Sequence, residues 1–71
     1  MKIKYKFQTP KNDVEVVHDT KTGEVNYITA VPGTYAVGLS NLLNEEQPLN
    51  VGDSINFDKR WDIVEATVLE S

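Results

Sequence analysis

The side chains of this 71-residue chain that could do chemistry are few. Covalent catalysis needs a nucleophile beside a base. The chain has no Cys and a single His. His18 precedes Asp19, and a neighbouring carboxylate can orient an imidazole. Consecutive side chains on a strand point to opposite faces, however. The two therefore do not read as a dyad, and His18 is expected at a surface or sheet edge. Asp53, Asn56, Asp58 and Asp62 offer oxygen ligands of the kind a hard cation takes. They lack the alternating acids, central Gly and distant Glu of an EF-hand loop, and each has a plainer use in a turn or on a solvated face. Gly23, Gly33, Gly38 and Gly52 are scattered rather than gathered into a phosphate-binding loop. The expectation is a non-enzymatic chain with no catalytic, metal or cofactor site.

Binding chemistry has more to draw on. Trp61 and Tyr35 belong to the residue types enriched at interface hot spots, and long loops carry binding more often than strands do. With the segment 40–48, and in it Leu42, Leu43, Glu45 and Glu46, they are the candidate partner-binding residues. Against this, Trp61 is also the natural centre of a small core. Lys2, Lys4 and Lys6 make a cationic stripe that could track a phosphate backbone. Tyr5 points away from that stripe, and Lys on a first strand also serves to protect an exposed edge. The acids concentrate at the other end of the sequence: residues 45–71 hold seven of the eleven. Carboxylates spaced along a sheet can imitate DNA phosphates, as in some small inhibitors carried by bacteriophages.

The elements that must hold these residues follow from the hydrophobic period. Ile3, Tyr5 and Phe7 alternate with the lysines, a strand with one apolar and one cationic face. Val14 and Val16 give a second strand. Asp19 to Gly23 is a turn, and Val25 and Tyr27 return from it to about Ala30. Val31-Pro32-Gly33-Thr34 reads as a type II turn. Tyr35, Val37 and Leu39 then alternate with small residues, predicting a fourth strand. Helix is expected only as a turn or two near 41–47. Gly52-Asp53 is a bend, and residues 54–57 and 61–69 read as a hairpin with Phe57 opposite Trp61 and Ile55 opposite Ile63. The alternation slips between Ile63 and Val64, which marks a β-bulge or a strand buried on both faces. The fold class expected is all-β: a five- or six-stranded antiparallel barrel or curled meander, similar in architecture to the Src-homology-3-like barrels.

Composition sets the outer bounds. At 39% hydrophobic and 25% charged residues the chain is ordinary globular material, and its length suits one small domain. The Lys-interrupted MKIKYKF start does not read as a signal peptide, and no apolar run approaches the roughly 20 residues of a membrane span. The lack of Cys suits a reducing cytoplasm. A net charge of −4 argues against nucleic-acid binding by the surface as a whole. The function expected is a protein-binding module with a protein partner. An acidic inhibitor or DNA mimic, and a nucleic-acid binder acting through Lys2, Lys4 and Lys6, are the alternatives.

Overall fold

The computed structural model describes residues 1–45, 49–57 and 59–70. Five strands and one helix follow in the order β1 (Lys2–Gln8), β2 (Asp13–Asp19), β3 (Val25–Tyr27), α1 (Gly33–Glu45), β4 (Ser54–Asn56) and β5 (Arg60–Glu70). The strands form one antiparallel sheet in the order β3-β2-β1-β5-β4. The all-β expectation holds only as mostly β, and β3 and β4 are two open edges. Among the described residues no barrel closes, and a Src-homology-3-like arrangement has no support. Strand β1 is the centre of the sheet rather than an edge.

Strict alternation gives the sheet two unlike faces. Ile3, Tyr5 and Phe7 of β1 and Val14, Val16 and His18 of β2 are buried on the inner face with Ile55, Trp61 and Ile63. Leu39 and Leu43 of α1 close over them, and Leu49 adds to the same core. On the outer face Lys2, Lys4 and Lys6 run up the middle, with Asp13, Glu15 and Asp19 on one side and Glu65 and Glu70 on the other. Lys4 pairs with Glu15 at 3.5 Å, Lys6 with Asp13 at 3.6 Å and Lys2 with Glu70 at 3.9 Å. Half-exposed pairs of this kind contribute about 0.2–1 kcal/mol each.

The helix corrects the expected strand at 34–39 and the limit of a turn or two. Tyr35 and Leu39 are four residues apart, a spacing that both period 2 and period 3.6 place on one face. Val37, which made the strand pattern, is 65% exposed on the solvent side. Leu42 and Leu43 extend the inward stripe at helical spacing. The Pro32 carbonyl accepts the Ala36 N–H (3.0 Å), so Pro32-Gly33 opens a helix instead of a type II turn. Gly33 accordingly has no positive φ. Gly38 has a different use. A Cβ there would lie 2.8 Å from Phe57 Cε1, so the bare backbone makes room for that ring.

The turns elsewhere follow their residues. Gly23 has φ 79°, and its N–H bonds the Asp19 carbonyl at 2.8 Å. The Lys21 N–H donates to Asp19 Oδ1 (2.9 Å) and holds that carboxyl below its ordinary value of 3.8. A depressed carboxyl stabilises the fold above its unfolded value, and that contribution is lost as pH falls through the depressed one. The slip in β5 is a bulge: Lys6 pairs with Glu65 and Phe7 with Ile63, so Val64 has no opposite number. The β4–β5 register differs from the expected one. Ile55 faces Trp61 and Asn56 faces Arg60, which leaves Phe57 in the turn.

Two glycine substitutions separate space from propensity. Gly38→Val should lower stability by about 1–3 kcal/mol through collision with the Phe57 ring. Gly33→Ala, which meets nothing within 4 Å, should raise it by a few tenths up to about 1 kcal/mol. Urea unfolding of both variants checks the contrast.

Candidate functional site

Antiparallel pairing of β1 with β5 sets Gln8 opposite Asp62. The turn after β1 and the turn before β5 therefore lie at the same end of the sheet, and the helix begins there too. Between them opens a cleft of about 130 Å³ lined by residues 9–12, Val14, residues 30–32, Tyr35, Lys59 and Trp61.

Its walls are braced by hydrogen bonds and ring contacts. Thr9 Oγ1 donates to the Asn12 carbonyl (2.6 Å) and accepts the N–H groups of Asn12 (3.1 Å) and Lys11 (3.3 Å). Pro10 sits inside this knot and Pro32 in the opposite wall, and each fixes its own φ. The aromatic wall is held from behind. Trp61 is 5% exposed and stands edge-on to Phe57, with ring centroids 5.1 Å apart. It also meets Tyr35 at 5.5 Å and Phe7 at 6.0 Å. Tyr35, half-buried, and Pro32 also line a second, more open cleft of about 420 Å³ with Thr34 and Phe57.

The charge of the cleft is unlike that of the chain. Among the described residues its lining holds Lys11 and Lys59 and no acid. Lys2, Lys4, Lys6 and Arg60 are all in ion pairs, whereas Lys11 and Lys59 make none among the described residues. The nearby carboxylates of Asp13 and Asp62 are already engaged by Lys6 and Arg60.

Of the residues expected to bind a partner, the structure brings Tyr35 and Trp61 together. Leu43 is fully buried in the core, Leu42 is half-buried against it, and Glu45 is exposed at the far end of the helix. Glu46 lies outside the described residues, as does Asp58. Lys2, Lys4 and Lys6 are on the outer face among carboxylates. Pro10, Lys11, Pro32 and Lys59 escaped the sequence reading. Each sits in a separate turn, and only the sheet order joins those turns.

His18 is not at a surface. It is completely buried on the inner face, where its Nε2–H donates to Asn44 Oδ1 (2.9 Å). Asn44 Nδ2 spends its two protons on the carbonyls of Gly23 (3.0 Å) and Ser40 (2.9 Å). The Asn44 oxygen can therefore only accept, which places a proton on Nε2, and Nδ1 is buried with no hydrogen-bond partner among the described residues. Among the described residues no three His, Asp or Glu side chains converge as a metal site would require. No described helix is long and apolar enough to cross a membrane.

No protein-family model matches the chain, and neither a curated protein nor a solved structure does.

Two substitutions test this description. Trp61→Ala should cost about 3–5 kcal/mol, as buried aromatic truncations do. Denaturant unfolding measures this, and the native Trp emission should lie well to the blue of free tryptophan. Asn44→Ala strands the buried His18 Nε2–H and should cost about 1–3 kcal/mol in the same measurement.

Proposed function

We propose that this domain is a non-enzymatic protein-binding module that docks a segment of its partner in the cleft beside Tyr35 and Trp61. The observation that carries the reading is the preformed recess itself. Two proline-containing turns and a packed aromatic wall shape it before any ligand arrives. A recess held open this way loses little freedom on binding, which favours affinity. Its size also fits the role. A cavity of about 150 Å³ holds benzene, so a cleft of about 130 Å³ takes one apolar side chain of a partner. The acidic-mimic and nucleic-acid readings both need a face of one sign, and the outer face alternates cations with carboxylates.

The test is to pan a displayed random-peptide library against the domain, with Ala30→Tyr as a second target. Ala30 is exposed on the cleft wall, so a tyrosine there obstructs the recess without entering the core. Enriched peptides should shift the NMR signals of the Trp61 indole N–H and the Tyr35 amide. They should lose most of their affinity for Ala30→Tyr, whose melting temperature should match the parent. Peptides that bind both targets equally, or shift only residues of the outer face, would defeat the proposal.

A further inference from the structure

From the charge of the same cleft we infer that its ligand is an acidic peptide segment of a partner protein: one apolar side chain seated in the recess, with carboxylates on one or both sides of it. This rests on the docking role just proposed and adds the chemistry of what docks.

The inference comes from where the unpaired cations lie. The chain carries eleven acids against seven bases. Most of the bases are used internally: Lys2, Lys4 and Lys6 on the outer face and Arg60 with Asp62. Of the three left, Lys11 and Lys59 line the cleft and Lys21 lies in the β2–β3 turn, and no acid lines the cleft among the described residues. Lys11 and Lys59 are both exposed. The backbone N–H of Lys11 donates to Thr9 Oγ1 (3.3 Å), so its place in the turn is set while its side chain reaches into solvent. A ligand whose apolar group enters between these turns thus brings its flanking residues to two ammonium groups. Carboxylates there gain charge-assisted contacts, and a basic segment is repelled.

A phosphate backbone is the competing anion. It is the poorer fit, because nucleic-acid affinity grows with the number of phosphates neutralised. This cleft offers two cations on a chain of net charge −4. A recess the size of one side chain also suits a peptide anchor better than a continuous strand.

The experiment uses the intact chain, labelled with ¹⁵N, and three pools of nonapeptides. Each pool has a central Phe, Leu or Val and randomised outer positions. The two residues flanking the centre are Asp in the first pool, Asn in the second and Lys in the third. Binding is read from the Trp61 indole N–H at low and high salt. The Asp pool should bind about 3- to 10-fold more tightly than the Asn pool at low salt, the range expected of two rim ion pairs. The gap should close at high salt and in the double variant Lys11→Gln/Lys59→Gln, whose exposed sites leave the fold intact. Equal binding of the Asp and Asn pools overturns this inference and leaves the docking role standing. No shift at Trp61 with any pool overturns both. Preference for the Lys pool, or a larger shift with a ten-nucleotide oligothymidine than with the Asp pool, overturns it too.

Discussion

Trp61 is the contact on which the structure turns. Its ring meets β1 through Phe7, the helix through Tyr35 and the β4–β5 turn through Phe57. Aromatic pairs in tilted or edge-on geometry add about 0.5–1.5 kcal/mol each beyond simple burial. In a domain this small, total stability is on the order of 5–15 kcal/mol, so three such contacts are a large share. The same ring is a wall of the cleft. The recess proposed for docking thus lies against a buried core aromatic, where side chains have little freedom to relax.

The two faces of the sheet divide the remaining work. The inner face is apolar apart from His18, which a single asparagine accommodates by joining β2, the β2–β3 turn and the helix end in one hydrogen-bond set. Tyr27 makes a second tie: its hydroxyl donates to the Ala36 carbonyl and accepts from Ser40 Oγ, both at 2.6 Å. The helix is therefore fastened by polar bonds at its first turn, middle and C-terminal end, and by the Tyr35 ring contacts at its N-terminal half. The outer face is mixed charge with carboxylates in excess, which keeps it solvated and leaves the unpaired lysines at the cleft to set the sign there.

The strands were legible because their signal is redundant. β1 and β2 alternate without a break, and Asp19 to Gly23 carries its own turn chemistry. Even the bulge at Val64 showed as a slip in phase, although sequence alone could not choose it over a doubly buried strand. The helix was hidden by an ambiguity of spacing. Residues 35 and 39 satisfy both periods, Val37 satisfies only the wrong one, and Pro-Gly ahead of them is as good a turn as a helix entry. Phe57 left the ladder because Gly38 offers its ring a place against the helix, and nothing within the hairpin encodes that offer. The cleft was illegible for a similar reason. Trp61 and Tyr35 stood out by type, but Lys11 and Lys59 become neighbours of one recess only through the pairing of β1 with β5.

That pairing also gives the chain an order of assembly. Strands β1, β2 and β3 are joined by short turns and can form as a meander early, since local pairings carry little loop-closure cost. Strand β5 must travel back across the length of the sequence to lie beside β1, with Lys2 opposite Glu70. Until it does, the future centre of the sheet is an open edge, and the meander exposes a strand able to pair with other chains. Lys2, Lys4 and Lys6 sit on that strand. A row of like charges is what discourages edge-to-edge association, so the lysines that the finished fold neutralises guard the unfinished one.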